Sequence, residues 1–486
     1  MNKNLTELNP KTIWANFQSL LDIPRPSKKE EKVIQFMVDF GKKLGLETIV
    51  DDVQNVIIKK PATPGMENRM VVVLQGHLDM VPQKNSDKVH DFEKDPIEAY
   101  IDGEWVTANG TTLGADNGMG VAAAMSVLQA TDLVHGPIEC LFTIDEETGM
   151  TGAFGLKKGL LKGDILMNLD SEDEGELYIG CAGGIDTSAT FNYESEPVPA
   201  GSNAYKITIT GLKGGHSGLD IILQRGNSNK MITRFMWNAF RKMDLRLASI
   251  EGGSLRNAIP REAFAVVTVP ADKQEAFKKY AVDYYQTVKK ELASTEPEFK
   301  FEVLQTEMPT SVIDKKTTDS FLSSVYGCPN GVIRMSDDMV GLTETSLNLA
   351  IIKSVNGKIT INCLLRSSVD SAKEDLTAMV ESVFVLAGAK VVHEGAYPGW
   401  KPNVNSPILK TMKEIYQNKF GKTPDVKAIH AGLECGLLGE VYPNMDMISF
   451  GPTIRFPHSP DEKVNIASVQ KFWDYLVETL KNVPVK

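Results

Sequence analysis

Two spacings of apolar residues alternate along the first part of the chain. In "KEEKVIQFMVDFGKKLG", residues 29–45, Val33, Phe36, Met37 and Phe40 recur at three- and four-residue steps, the period of a helix with one buried face. Unbroken apolar runs at 70–75, 138–144 and 165–169 read instead as strands buried on both faces, and a small-residue helix, "GMGVAAAMSVLQA", separates the first two. The alternation predicts an α/β fold, a central sheet flanked by helices, with ligand sites beyond the carboxyl ends of its strands.

After "CAGGID" (181–186) the pattern changes. "AYKITITGL" reads as a strand, 227–243 as a helix, "LRLASI" and "AFAVVTV" as strands, 272–293 as a long helix and "KFEVLQ" as a strand. That order, βαββαβ, is the ferredoxin-like plan. Residues 317–394 repeat it more loosely, with strands near "GVIRM", "SLNLAIIKSV", "KITINCLLR" and "KVVHE" and a helix at 372–386, but without a residue-level repeat. The last part goes back to the alternation of the first, with a helix at 407–420, a strand at "MDMISFG" and a helix at 469–481. The expected organisation is a catalytic domain made from 1–185 and 396–486, interrupted by an inserted α+β lid domain, 186–395, of ferredoxin-like units. Such an insertion needs its two junctions close together at the surface.

A chain of 486 residues exceeds what one hydrophobic core usually serves, which fits this division. The net charge of −11 argues against a nucleic-acid partner, which would favour a basic face. No run of 18 apolar residues is present to span a bilayer, and "MNKNLTELNPKTIWANF" lacks the apolar stretch of a secretory signal. The five cysteines are scattered without a CxxC pair, as suits reduced thiols in the cytoplasm.

The candidate chemistry sits where predicted strands end. In "VVVLQGHLDMV" (71–81) a buried run breaks off into His77 and Asp79, which share a side if the chain stays extended. They read as a metal ligand with its orienting partner, or as a polar loop leaving the core. "TLGADNGMG" carries Asp116, "CLFTIDEETG" Asp145, Glu146 and Glu147, "ILMNLDSED" Asp170, and "GPTIRFPHSPDE" His458. Each has an ordinary reading as a helix cap, a solvated pair, a turn or a loop. Together they bring two histidines and at least four carboxylates to one sheet edge. Burying those like charges without a counter-charge is costly, and a pair of divalent ions would supply it. Mixed imidazole and carboxylate ligands fit zinc, with manganese or cobalt as alternatives, better than calcium.

"GHLDMV", "LGADNGMG", "DEETGMTGA", "NLDSED", "GGHSGLDI", "HAGLECG" and "FPHSPDE" resemble, over nearly the whole chain, the motifs of the co-catalytic zinc peptidases that include carnosinases, carboxypeptidase G and acetylornithine deacetylase. "HDFEKDPIEAYIDGEWVTANGTTLGADNG", and "GGHSGLDI" followed by "RGNSNK", resemble a dipeptidase subgroup that acts on Xaa-His substrates. The resemblance implies two metal ions bridged by Asp116, one also held by His77 and Asp170, the other by Glu147 and His458. It makes Asp79 the partner that orients His77 and Glu146 the general base, and it implies a cis peptide between Asp116 and Asn117. In an extended segment neighbouring side chains point opposite ways, so Glu147 would face a metal and Glu146 the water between the ions. Glu146 would take that water's proton and pass it to the leaving amine.

His216 becomes a donor to the oxyanion, brought up by a domain or subunit movement; as a bare sequence feature it is a turn residue. Asn257 and Arg366 resemble contacts to the substrate carbonyl and carboxylate, since an arginine grips a carboxylate with two hydrogen bonds; the ordinary reading of Arg366 is a strand residue in an ion pair. His430 and Glu434 resemble positions that shape the substrate pocket, Glu434 against an α-amino group. His90, His135 and His393 have no motif around them. The expected function is cytoplasmic hydrolysis of dipeptides, including Xaa-His and β-alanyl-histidine, by a chain that pairs, if it pairs, through its lid. The alternatives are an N-acyl amino acid deacylase with the same metals and a non-catalytic metal-dependent binding protein.

Overall fold

Strands and helices alternate through the first 180 residues of the computed structural model, which describes residues 4–486. Contacts divide the chain into one unit running to Gly180 and taking in Pro402–Ala428 and Leu433–Lys486, and a second made of Cys181–Lys401 and Ile429–Gly432.

The first unit is built on an eight-stranded sheet in the order Glu47–Val50, Val56–Lys60, Ile138–Thr143, Val72–His77, Ile165–Asn168, Asp446–Ser449, Glu176–Cys181, Asp425–Ile429. The middle four strands, from Ile138–Thr143 to Asp446–Ser449, run parallel. They therefore release the chain at one edge, and the segments after Thr143, His77, Asn168 and Ser449 gather there. Ile138–Thr143 and Val72–His77 are buried throughout, as a parallel sheet covered on both faces requires. The Lys11–Leu21 helix buries Ile13, Trp14, Phe17 and Leu20, and the Ala115–Gln129 helix is buried nearly all round because alanine, glycine and methionine fill its faces.

A small antiparallel sheet, Ile454–Arg455, Lys463–Asn465, Trp105–Ala108 and Ala99–Asp102, joins the last segment of this unit to the first. Its strands, two to four residues long, are too short to show a period in the sequence. The hairpin between its first two strands carries His458.

The second unit has a nine-stranded sheet made of two four-stranded ferredoxin-like halves and one further strand, Gly331–Met335, which pairs with Thr343–Val355. The first half runs Lys300–Gln305, Ser202–Thr210, Ala263–Pro270, Arg246–Gly252, the fourth, first, third and second strands of the βαββαβ order. The second half runs Thr343–Val355, Lys358–Ser367, Gly183–Asn192, Lys390–Tyr397. Its first strand thus precedes the whole first half, so the better-patterned unit is itself an insertion between Gly183–Asn192 and the Lys315–Gly327 helix. The two halves meet where Glu251 pairs with Lys353 and Gly252 with Ile352. Phe235, Phe277, Phe321 and Phe384, one from each of four helices, share a single core. The aromatics of "MITRFMWNAF" belong to it, Phe235 stacking on Tyr280 at 4.8 Å.

All five cysteines are buried and none is in a disulfide, and among the described residues no helix is long and apolar enough to cross a membrane.

Candidate active site

At the carboxyl edge of the first unit's parallel strands, His77 ends its strand with its ring buried and its Nε2 3.1 Å from Asp116 Oδ1 and 3.3 Å from Asp170 Oδ1. Across from it, His458 Nε2 lies 3.3 Å from Asp116 Oδ2 and 2.9 Å from Glu147 Oε2. The two oxygens of Asp116 thus face different histidines. Ligand-capable atoms of His77, Asp116 and Asp170 lie within 4.8 Å of one another, as do those of Asp116, Glu147 and His458, so each trio could hold a cation. Glu147 Oε1 is buried without a hydrogen-bond partner, and Asp170 Oδ1, also buried, has only the 3.3 Å approach of His77 Nε2. Orphaned carboxylate oxygens beside imidazoles are the donor set that divalent zinc, manganese or cobalt takes. The Asp116–Asn117 peptide is cis.

Asp79 Oδ1 faces His77 Nδ1 at 3.2 Å. The same carboxylate accepts the backbone N–H groups of Glu146 (3.0 Å) and Glu147 (3.2 Å) and the hydroxyl of Ser27 (2.7 Å). Here the structure corrects the sequence reading, because Glu146–Gly149 is a single helical turn rather than an extended segment. The two glutamates diverge because Asp145, at φ 51°, turns the chain before them, and the Asp79 carboxylate caps the turn. Asp145 does not join the His77 and His458 trios; its backbone N–H donates to Glu30, and Thr148 and Thr151 donate to its carboxylate.

The electrostatics express a surplus of negative charge. Burial opposes a charged His77, yet Asp170, Asp116 and Asp79 hold its pKa well above normal. Hydrogen bonds to Asp116 and Glu147 push His458 up to about 11. Burial, with Asp116 and Glu434 adding to it, pushes Asp170 up to about 8, and burial raises Glu146 well above the carboxylate range. Burial also works on Asp79, but its hydrogen bond and charge pairing with His77 bring it down to about 2. Without other cations, protons neutralise the cluster.

Glu434, fully buried at the start of the Glu434–Val441 helix, accepts hydrogen bonds on Oε2 from Gln75 Nε2 (2.6 Å) and Thr143 Oγ1 (2.8 Å), leaving Oε1 without a partner. Gln75 also accepts from Asn168 (2.5 Å), whose side chain meets Ser449, so a fully buried polar row crosses the strands beneath the site. Nothing in the alternation of apolar residues marks this row; the one sign is a glutamine or asparagine inside a run otherwise reading as core.

In the second unit, the ladder of Gly215–His216 against Ala258–Ile259 sets His216 beside the exposed Asn257. His216 Nδ1 accepts the N–H groups of Gly218 (3.2 Å) and Leu219 (3.1 Å). In the neutral ring the proton therefore sits on Nε2, which makes that atom a donor. Burial and the charge of Arg366 lower the pKa of this ring. Arg366 is buried and donates from Nη1 to the Tyr397 hydroxyl at 2.9 Å, with Nε unpartnered, in place of the ion pair of its ordinary reading. His430 is buried with Nε2 2.7 Å from Ser346 Oγ. Glu434 and His430, read together in the sequence, belong to different units. Of the other histidines, His90 packs on Phe92, His135 is buried and His393 meets Thr187.

Residues 73–482 match the model of peptidase family M20/M25/M40. The chain is 50% identical over 482 residues, 99% of both chains, to the cytosol non-specific dipeptidase of Escherichia coli. It superposes with a TM-score of 0.96 on the crystal structure of aminoacylhistidine dipeptidase from Vibrio alginolyticus, with 51% identity and coverage of 100% of this chain and 99% of that one. A tripeptidase from Staphylococcus aureus, 16% identical at a TM-score of 0.57 over 98% of this chain and 99% of its own, shares the fold. With the parallel-edge cluster of histidines and carboxylates standing in that fold, the chain is a member of peptidase family M20/M25/M40.

Proposed function

We propose that this chain is a cytosolic dipeptidase with two divalent ions, zinc by ligand chemistry, and that its substrates include Xaa-His dipeptides and β-alanyl-histidine. The observation that carries the reading is Asp116, whose Oδ1 faces His77 and whose Oδ2 faces His458, each histidine having a second carboxylate beside it. Asp116 would be the shared ligand, with His77 and Asp170 completing one set and Glu147 and His458 the other. The names of the two half-identical relatives support dipeptides as the substrate class, and that of the Vibrio alginolyticus aminoacylhistidine dipeptidase supports the Xaa-His substrates.

Divalent ions held by these residues would supply an acidified water and polarisation of the scissile carbonyl. Asp79 holds His77 by its Nδ1 side, so that Nε2 stays turned to the ligand cluster. Glu146, its backbone fixed by Asp79, removes the proton from the attacking water and returns it to the amine nitrogen as the C–N bond breaks. His216, brought up by a domain or subunit movement, offers its Nε2–H to the carbonyl oxygen as negative charge develops there. Arg366 and Asn257 meet the substrate carboxylate and carbonyl, His430 shapes the pocket, and Glu434 Oε1 is the counter-charge for the α-ammonium group.

The test combines metal content with hydrolysis of β-alanyl-histidine, alanyl-histidine and an N-acetyl amino acid, before and after chelation and zinc restoration. About two ions per chain with chelator-sensitive cleavage of the free dipeptides is the expected result. Cleavage of the acetylated substrate alone would make the enzyme a deacylase, and a chain that takes up no metal would overturn the mechanism.

A further inference from the structure

Two buried charged residues outside the ligand set tie together the chain segments that carry it. Glu462 is 2% exposed and follows His458 by four residues in the same hairpin. Its Oε2 accepts the backbone N–H groups of Leu113 (2.8 Å) and Gly114 (2.9 Å), and its Oε1 those of Ala115 (2.7 Å) and Asp116 (3.2 Å). Two donors on each oxygen fill the four acceptor sites of the side chain. The donors belong to the segment 113–116 that leads into the Ala115–Gln129 helix, whose Asp116 and Asn117 have non-helical backbone angles, so no helical turn occupies these N–H groups. A single side chain thus joins the His458 hairpin to the loop of Asp116.

Arg25, 1% exposed, supplies the other tie. Its Nη1 donates to the carbonyls of Leu78 (2.9 Å) and Asp79 (3.0 Å), just past His77, and its Nη2 donates to the carbonyl of Gly114 (2.6 Å). Gly114 is therefore held from both sides, through its carbonyl by Arg25 and through its N–H by Glu462. It has φ 73°, and a β-carbon there would come 2.7 Å from Arg25 Nη2, so both the turn and the guanidinium need glycine.

We propose that Arg25 and Glu462 are positioning residues that set the spacing of His77, Asp116 and His458, so that divalent-cation affinity depends on them. This rests on reading those side chains as metal ligands. Neither residue reaches the cluster with its own side chain; each acts on the backbone of a ligand or of the residues next to it. Glu462→Gln keeps the shape but turns an NH2 group toward two N–H donors, which leaves buried donors unpaired and lets the loop shift. Arg25→Lys keeps the charge but loses the planar fork that spans three carbonyls.

The experiment measures zinc affinity of the metal-stripped full chain by competition with a chromophoric chelator, with circular dichroism and apo-protein melting alongside. A folded Glu462→Gln protein is expected to bind zinc about 10- to 100-fold more weakly, the usual cost of losing a ligand's outer support, and to recover dipeptide turnover in excess zinc. Unchanged zinc affinity in the folded variant overturns the proposal. If Glu462→Gln does not fold, Arg25→Lys is measured with the same two outcomes; failure of both to fold overturns it too, since the pair then holds the fold and not the site. A wild-type chain that binds no zinc would instead remove the metal-site reading beneath it.

Discussion

Asp79 is the residue on which most of the candidate site turns, because one carboxylate serves both His77 and the turn of Glu146 and Glu147. Asp79→Asn keeps the volume but presents an amide where N–H donors and the imidazole need an acceptor. Zinc affinity is expected to fall about 10- to 100-fold, read by chelator competition. Glu146→Ala separates base from ligand: kcat for alanyl-histidine is expected to fall about 10²- to 10⁴-fold while two ions per chain remain by elemental analysis, and full activity would remove Glu146 from the mechanism. His430 links a residue to pH. Burial, then the charges of Arg366 and His216, bring its pKa down to about 3 from the usual 6.5. Between those values the unfolded ring binds a proton that the folded ring refuses, so its stabilising effect is complete above pH 6.5 and is lost as pH falls toward 3. His430→Gln is expected to flatten the loss of stability between pH 7 and pH 4.5, measured as urea midpoints, by at most about 1.4 kcal/mol for each pH unit below the ordinary histidine value.

At the scale of elements, long segments with one period were legible and short ones were not. The Pro407–Phe420 helix and the Lys300–Gln305 strand lie where their apolar spacing puts them. Gly183–Asn192 escaped as the first strand of the second ferredoxin-like half because the whole first half stands between it and its helix, and linear order hides a nested insertion. The residues at the strand ends announced themselves by breaking apolar runs, as His77 does after Val72 to Gly76. Arg25 and Glu462 gave no such sign, since a lone arginine or glutamate has no spacing, and their partners are backbone groups distant in sequence. Gly120 shows the same limit from the opposite side. Helix propensity favours alanine there by about 1 kcal/mol. Yet a β-carbon would come 2.5 Å from the Leu169 carbonyl and 2.6 Å from Asn117 Oδ1, both beside the ligand cluster. Gly120→Ala is therefore expected to destabilise the chain, by about 1–3 kcal/mol in denaturant titration, where propensity alone would stabilise it.

On the scale of the whole molecule, the acidity of the chain has a local focus. The cluster at the parallel edge belongs wholly to the first unit, and without divalent ions it is neutralised by protons, with His458 held up to about 11 and Asp170 up to about 8. Metal must displace those protons, so zinc addition at pH 7 to the stripped protein is expected to acidify a weakly buffered solution, by an amount that shrinks as pH rises past the range where Asp170 is protonated. Binding to the folded state alone then stabilises it, by about 2.7 kcal/mol for one site at a hundred times its dissociation constant. Because every ligand candidate lies in the first unit, that gain is expected to be unequal along the chain. Hydrogen exchange with and without zinc is the measurement: slower exchange at Val72–His77, Ile138–Thr143 and the Ala115–Gln129 helix, with little change in the Ser202–Thr210 and Ala263–Pro270 strands, would locate the metal's stabilisation in the first unit. Equal slowing in both units would mean that they open together as one cooperative block, and that chelation destabilises the surroundings of His216 and Arg366, the proposed substrate contacts, as much as those of the candidate ligands.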